Sequence, residues 1–324
     1  MRQILVTGGA GFIGSNFIRY LMQAQPGIRV VNLDKLTYAG NKDNLRDLER
    51  NPRYRFIKGD ICLRYAVKQA IKGCDAVINF AAESHVDRSI HDPMPFVRTD
   101  IQGTLNLLEE ARTHKVERFI QISTDEVYGS VEKGSSRETD ALKPRNPYSA
   151  SKAGADLLAL SYFTTYGLPV LVTRSSNNFG PYQFPEKIVP LFLTNLLRGR
   201  KVPLYGDGKN VRDWLYVLDN CTAIERVLLD GKPGEVYNVG GGNEVKNIDL
   251  ARRLLKGLGL DEERIEWVKD RPGHDRRYSL DSSKIKKLGW KPAHKFGDAL
   301  KATMDWYKAH NAWWEPLVHK GRNA

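Results

Sequence analysis

Cysteine is scarce in this chain: Cys62, Cys74 and Cys221 are odd in number, and none belongs to a C-x-x-C pair. That excludes a secreted disulfide framework and a cysteine-based zinc module, and makes a reducing cytoplasm the default compartment. Long apolar runs are missing too, none nearing the ~18 to 20 residues a membrane span requires. The chain enters a strand pattern at once, over Arg2–Thr7, so neither a signal peptide nor a membrane helix is expected. Neither His85 nor His274 stands in an H-x-x-x-H spacing or a Cys/His cluster, so no metal is expected. No internal repeat or low-complexity stretch interrupts the chain.

Positive charge is what the sequence has in excess, 50 Lys and Arg against 38 Asp and Glu. Clustered cations would bind nucleic acid by releasing counterions from its phosphates, but these are scattered. The densest runs, Arg198–Lys201 and Lys284–Lys287, are short and lack the interleaved aromatics of a single-strand platform. A solvated basic surface that attracts anionic small molecules fits better than a nucleic-acid partner. With 324 residues and 41% apolar content, the chain can build one large domain or two modest ones without a metal or disulfide staple.

Apolar strand-like runs at Ile4–Val6, Val30–Leu33, Arg55–Ile57, Ala76–Phe80, Phe119–Ile122 and Val170–Val172 alternate with helix-length segments. Helices are expected over Ile13–Ala24, Arg64–Ile71, Phe96–His114 and Tyr148–Tyr166. This rhythm predicts an α/β fold of right-handed βαβ units around a doubly wound parallel (Rossmann) sheet. After Arg174 the pattern breaks, with Gly180-Pro181, Pro185, Pro190 and Pro203 crowding one region. The expected division is a cofactor domain over 1–175, to which 213–245 returns, and a smaller, interleaved α/β domain over 176–212 and 246–324. Trp214–Val217 and Val236–Val239, joined by a helix at Asp219–Leu229, are expected to rejoin the first sheet. Helices at Ile248–Leu258 and Phe296–His310 suit the smaller domain.

Between the first strand and the first helix, residues 7 to 14 read Thr-Gly-Gly-Ala-Gly-Phe-Ile-Gly. Gly9, Gly11 and Gly14 satisfy G-x-G-x-x-G, and Gly8, Gly11 and Gly14 a nested G-x-x-G-x-x-G. Such a turn lets a pyrophosphate approach the backbone at the helix N-terminus; taken alone it would also serve simply to pack helix on strand. Asp34, about twenty residues on, ends the second strand, where a carboxylate can bond a ribose 2′-hydroxyl and repel a 2′-phosphate. NAD is therefore favoured over NADP, with Lys35 blunting the argument. Asp60-Ile61 and Phe80-Ala81-Ala82 follow two further strands, where doubly wound folds bind ligands. Read alone, these are also ordinary packing and capping positions.

Asp125 and Glu126 follow a strand, and Tyr148 and Lys152 lie four apart on one helix face. Two carboxyls beside a phenol offer a general acid, a general base and an activated phenol in one place. A nearby ammonium would lower the Tyr148 pKa from its reference of ~10. Each pair by itself is equally a turn, a cap or a solvated helix face. For both carboxyls to face one substrate, the chain must bend after Thr124, because an extended chain would separate them.

These stretches, with Asp34–Gly40, Ala81–Ser89, Ser176-Asn177-Asn178, Phe184–Lys187, Arg212-Asp213-Trp214 and Asp270–Tyr278, closely resemble the extended short-chain dehydrogenase/reductase superfamily. Within it, they resemble the dTDP-glucose 4,6-dehydratase family nearly end to end. The Thr124-Asp125-Glu126 triplet is the specific part, since related epimerases usually carry small hydroxyl residues where Asp125 and Glu126 stand.

The resemblance implies three stages on one nucleotide sugar. Tyr148, assisted by Lys152 and with Thr124 on the 4-hydroxyl, removes a proton while hydride passes from C4 to NAD. Glu126 then takes the C5 proton while Asp125 protonates the departing C6 hydroxyl, and hydride returns to C6. Cofactor contacts are expected from Gly8, Gly11, Phe12, Ile13 and Gly14, then Asp34, Lys35, Leu36 and Thr37. Asp60, Ile61, Phe80, Ala81, Ala82, Thr99 and Asn178 complete that set with Tyr148 and Lys152. Substrate contacts are expected from Glu83, Ser84, Thr124, Asn177, Glu186, Lys187, Asn247, Arg271 and His274. Pro203, Leu204 and Tyr205 would lie near the thymine, and Arg212 suits a diphosphate because guanidinium bonds phosphate bidentately. The helices at Phe96–His114 and Tyr148–Tyr166 carry apolar residues beyond one stripe, which suits a homodimer or burial within a monomer. Trp313-Trp314 reads as a tail tied down by aromatic packing.

Overall fold

Short apolar runs become strands and the segments between them become helices in the computed structural model, which describes residues 1–320. Residues 321–324, with which the expected second domain ends, lie outside the described residues. In chain order the first elements are β1 (Gln3–Thr7), α1 (Phe12–Ala24), β2 (Arg29–Asp34), β3 (Tyr54–Lys58), α2 (Arg64–Ala70), β4 (Ala76–Asn79) and α3 (Val86–His91). Next come α4 (Met94–Phe96), α5 (Thr104–Thr113), β5 (Arg118–Thr124), α6 (Pro147–Tyr166), β6 (Val170–Ser175), β7 (Asn177–Phe179), α7 (Ile188–Leu197) and β8 (Val202–Tyr205). The remainder are β9 (Val211–Tyr216), α8 (Val217–Asp230), β10 (Val236–Val239), β11 (Glu244–Lys246), α9 (Asn247–Leu258), β12 (Ile265–Val268), α10 (Ser283–Lys286), α11 (Phe296–Ala309) and α12 (Asn311–Lys320).

The large sheet has seven parallel strands in the order β10-β6-β5-β4-β1-β2-β3. Helices cover both faces, so its strands are near-continuous apolar runs, each alternate side chain joining a different layer. Ile4, Val6, Ile78 and Ile120 pack with Phe17, Leu21, Ile224 and Val227 from α1 and α8. Leu5, Val77 and Phe119 face the opposite way, onto Leu107, Leu108, Ala159 and Tyr162 from α5 and α6. The first layer continues without a break into the smaller lobe through Phe179, Trp214, Leu254 and Tyr307. Each such fully buried large side chain contributes about 1.5–3 kcal/mol.

Two elements differ from expectation. The segment expected as one strand at Trp214–Val217 is β9, and it does not join the large sheet: it pairs in parallel with β7 and antiparallel with β11. Its partner β7 follows directly on β6 and leads the chain off the sheet, whereas the wholly buried Val236–Val239 returns to pair with β6 at Val236↔Val172. The helix expected over Phe96–His114 is interrupted by a wide π-helical turn at Val97–Gly103. Within that turn Asp100, 1% exposed, directs its carboxylate inward to accept bonds from Glu83 N at 3.0 Å and Ser151 Oγ at 2.6 Å. An inserted residue of this kind often marks a functional site. At the far end of the chain, Trp314 Nε1 donates to Tyr307 O at 2.8 Å and Trp313 Nε1 to Asn44 Oδ1 at 2.9 Å, anchoring α12.

Candidate active site

A cleft of about 430 Å³ runs along the C-terminal ends of the large sheet's strands and is faced by the smaller lobe. Its floor begins at the turn after β1. Gly8 holds φ +67°, and a Cβ there would stand 2.6 Å from Ala81 N; a Cβ on Gly14 would stand 2.5 Å from Gly8 O. No side chain caps the first turn of α1, so its N–H groups remain available to an anion. These features fit a dinucleotide pyrophosphate, and Phe12 and Ile13 line the same wall.

Asp34 lies in the cleft with its carboxylate braced by Ala10 N on Oδ2 and Leu36 N on Oδ1, both at 2.8 Å. Each oxygen keeps a lone pair for a ribose hydroxyl. Burial pushes its pKa up, against those two bonds. Lys35, which lines the same cleft, pairs with Asp60 Oδ2 at 2.8 Å. Thr37, Asp60, Ile61, Phe80, Ala81, Ala82, Thr99 and Asn178 also line the cleft. Leu36 does not: at φ +57° its backbone turns to cap Asp34, and it is absent from the lining.

β5 ends at Thr124, and the chain bends directly into a 3₁₀ turn over Asp125–Tyr128. Thr124 caps that turn, its Oγ1 accepting Glu126 N at 3.3 Å and donating to Asp125 Oδ1 at 3.1 Å. The bend brings Thr124, Asp125 and Glu126 to one cleft. Asp125 is 3% exposed and its Oδ2 has no partner. Burial, then Glu126 and Asp213, push its pKa well above the ordinary carboxyl range, with Thr124 and Arg212 opposing. Its neutral form is therefore favoured, as a general acid requires.

α6 opens on a capping box, Asn146 Oδ1 accepting Ser149 N at 2.8 Å and Asn146 N donating to Ser149 Oγ at 3.3 Å, with Pro147 in its first turn. That fixes Tyr148 and Lys152 beside the turn. The expected depression of the Tyr148 pKa is absent: burial, then Glu126 and Asp100, push it well above 10, and the Thr124 hydroxyl opposes this by hydrogen bonding. Lys152 Nζ donates to Ile122 O at 2.7 Å. The burial of the phenol, which leads that rise, is not something sequence spacing alone could reveal.

On the opposite wall, Glu83 and Ser84 follow β4, and burial, then Asp100, raises the Glu83 pKa to about 7. Lys187 Nζ donates to Ser84 O. Glu186 accepts Tyr38 OH at 3.0 Å and keeps Oε2 buried without a hydrogen-bond partner, with His85 Nε2 4.0 Å away; Asn177 and Asn247 lack one at Oδ1. Buried acceptors left open in this way are costly unless a ligand meets them. Arg212, 5% exposed, donates to Val211 O at 2.8 Å and Asp275 O at 2.9 Å. Arg271 pairs with Asp87 at 3.2 Å, and His274 Nδ1 meets Asp270 Oδ1 at 2.6 Å. Pro203, Leu204 and Tyr205 complete this end.

Sequence reasoning missed Tyr278 as a site residue. Its ring lies 4.3 Å beneath the Arg212 guanidinium, its hydroxyl donates to Asp275 Oδ2 at 2.6 Å, and Glu126 Oε2 stands 3.5 Å away. Asp100, which reaches toward Lys152 from the wide turn, was missed as well. Neither sits at a spacing that marks it in sequence. Among the described residues, no three His, Cys, Asp or Glu side chains group as a metal site.

The profile of the GDP-mannose 4,6 dehydratase family matches residues 5–303. The chain is 52% identical to a dTDP-glucose 4,6-dehydratase of Streptomyces niveus, over 97% of this chain and 95% of that one. It is 53% identical to the low-salt glycan biosynthesis protein Agl12 of Haloferax volcanii, over 94% and 98% respectively. The crystal structure of DesIV, a dTDP-glucose 4,6-dehydratase from Streptomyces venezuelae solved with NAD bound, superposes with a TM-score of 0.96 at 51% identity, covering 97% of this chain and 99% of that one. The glycine turn, the Tyr148–Lys152 pair and the paired carboxyls thus stand in a chain that belongs to the GDP-mannose 4,6 dehydratase family of extended short-chain dehydrogenase/reductases.

Proposed function

We propose that this chain is a hydro-lyase converting dTDP-glucose to dTDP-4-keto-6-deoxyglucose and water, with NAD regenerated in every turnover. The observation that carries this reading is the Thr124–Asp125–Glu126 turn beside Tyr148, which gathers a base for a hydroxyl and an acid–base pair of carboxyls in one cleft. An epimerase or decarboxylase oxidises C4 but has no use for an acid at C6.

When bound, NAD stores the hydride that leaves C4 and returns at C6. The turn of Gly8, Gly11 and Gly14 would take its pyrophosphate, and Asp34 its ribose hydroxyls. Tyr148 serves as the base for the proton of the sugar's 4-hydroxyl, which Thr124 bonds; Lys152 and the positive charge of a bound nicotinamide would favour its phenolate against the burial that raises its pKa. The resulting C4 ketone acidifies the C5 proton, and Glu126 takes it. Asp125, whose burial favours the neutral form, protonates the departing C6 hydroxyl, and Glu126 returns its proton to C5. Arg212 and Arg271 supply positive charge for the diphosphate. The open acceptors of Asn177, Glu186 and Asn247 offer bonds to sugar and base hydrogens.

The reading includes a homodimer in the cytoplasm. Exposed apolar side chains on adjoining helical segments support the dimer: Met94, Val97 and Leu105 on one, Leu157, Phe163 and Tyr166 on α6. The three cysteines are buried and free, as suits a reducing compartment, and no described helix is long and apolar enough to cross a membrane. The test is product mass after incubation with dTDP-glucose, in parallel with other nucleotide sugars. Loss of one water without net reduced cofactor is expected. Loss of carbon dioxide, an unchanged mass with an inverted centre, or no turnover would each overturn the reading.

A further inference from the structure

Two sets of groups act at different stages of the proposed reaction, and they stand on different elements. Tyr148 and Lys152, which serve oxidation at C4, belong to α6, whereas Asp125 and Glu126, which serve elimination, belong to the 3₁₀ turn after β5. Thr124, at the head of that turn, is held by the large sheet, where it pairs with Ser175 of β6. Asp125 and Glu126 lie beyond this last paired residue. What aims them must therefore act on the far end of the turn, where Tyr128 stands.

Tyr128 is buried, and its hydroxyl donates to Asn238 Oδ1 and accepts from Arg174 Nη1, both at 2.8 Å. The Arg174 guanidinium also lies 4.9 Å from the centre of its ring. Through Nε the same guanidinium donates to Asp156 Oδ2 at 2.9 Å, and that oxygen accepts Ser123 Oγ at 2.9 Å as well. Both ends of the segment 123–128 thus converge on one buried ion pair. Asp156 belongs to α6, four residues after Lys152, which is itself four after Tyr148; the three follow one side of the helix. Arg174 and Asp156 are both buried, and a polar network bonded at such depth is rigid because water cannot stand in for either partner.

We propose that Tyr128 is a positioning residue, and that the buried chain Tyr128–Arg174–Asp156 sets the Asp125–Glu126 turn in place against the Tyr148–Lys152 side of α6. None of its three members lines the cleft, so they act through the turn and not on the sugar. Phenylalanine at 128 would keep the ring against Arg174 and lose both bonds of the hydroxyl. The backbone bond from Lys143 N to Val127 O at 3.0 Å would remain, leaving the turn formed but less firmly aimed. A shift of about 1 Å at reacting groups can cost about 100-fold in rate. The inference rests on the dehydratase reading, because only a reaction with both stages needs the two sets of groups held at one sugar ring.

The experiment mixes dTDP-glucose rapidly with the native holoenzyme, Tyr128→Phe and Tyr162→Phe, following reduced nicotinamide by absorbance and water loss by product mass. Tyr162 is also on α6, but its hydroxyl bonds Glu109 of α5 at 2.6 Å, so its variant loses a phenolic bond without loosening the turn. For Tyr128→Phe, elimination should slow about 10- to 100-fold while oxidation at C4 changes by less than about threefold, so reduced nicotinamide accumulates. Tyr162→Phe should keep the native ratio of the two rates even if it is less stable. Equal falls in oxidation and elimination, native-like rates for Tyr128→Phe, or the same accumulation in Tyr162→Phe would overturn the proposal. If Tyr128→Phe does not fold, Arg174→Lys carries the comparison, since it keeps a charge for Asp156 and loses the fork that bonds both partners. A native enzyme that does not dehydrate dTDP-glucose would instead overturn the functional reading.

Discussion

Asp125→Asn separates the acid from everything else in the cleft. Asparagine keeps the side-chain shape and an oxygen for the Thr124 hydroxyl, now 3.1 Å from Asp125 Oδ1, but cannot give up a proton. General acid catalysis by a positioned group is worth about 10²- to 10⁴-fold, or roughly 3–5 kcal/mol at about 1.36 kcal/mol per decade. Elimination across C5 and C6 should slow by that factor. Oxidation at C4 uses Tyr148 and should change by less than about tenfold, because the substitution removes nothing from that base. Mixed rapidly with dTDP-glucose, the variant should accumulate the absorbance of reduced nicotinamide while water loss lags. An equal fall in oxidation and elimination would refute the assignment of Asp125 as the acid. Stability offers a second readout. The folded state holds the Asp125 pKa above its unfolded value of about 3.9. This group's stabilising contribution is therefore complete below about pH 3.9 and is lost as pH rises through the higher folded value. The Asn variant, having no such titration, should gain on the native protein in urea unfolding as pH is raised from about 4. Each unit of upward displacement is worth about 1.4 kcal/mol. A flat difference across that range would show that the carboxyl is not held neutral.

Beneath the catalytic strand, Arg174 Nε and Asp156 Oδ2 pair at 2.9 Å with side chains 3% and 0% exposed. Arg174→Ala should cost about 3–5 kcal/mol, because it strands a buried carboxylate; a loss below about 1 kcal/mol in urea unfolding would contradict that. Gly14→Ala places a Cβ 2.5 Å from Gly8 O and should give folded protein, by circular dichroism, with little NAD on release by denaturation; native NAD content would show that the turn tolerates the methyl group.

The parts of this molecule written locally were legible in its sequence. The Gly8–Gly14 turn, Asp34 at the end of β2 and the four-residue spacing of Tyr148 and Lys152 depend on backbone geometry within one βα unit. The bend after Thr124 was required by chemistry and is supplied by a hydroxyl two residues from the N–H it caps. What escaped notice depends on distant partners. Tyr278 meets Glu126 across 152 positions, and Asp100 is drawn inward by Ser151 from another helix. The direction of the Tyr148 shift depends on how many side chains exclude water from the phenol, a quantity no spacing encodes. Likewise β9 reads as a strand from its own residues, but its sheet is decided by β7 and β11.

The route of the chain through β7, β8 and β9 before β10 closes the edge of the large sheet has a consequence for engineering. A substrate-binding lobe grafted from a relative as one contiguous cassette would carry away or duplicate the strand that pairs with β6. Exchange of sugar or nucleotide preference should therefore succeed through loop replacement, or through two-piece grafts with junctions on either side of α8 and β10, and fail through a single crossover.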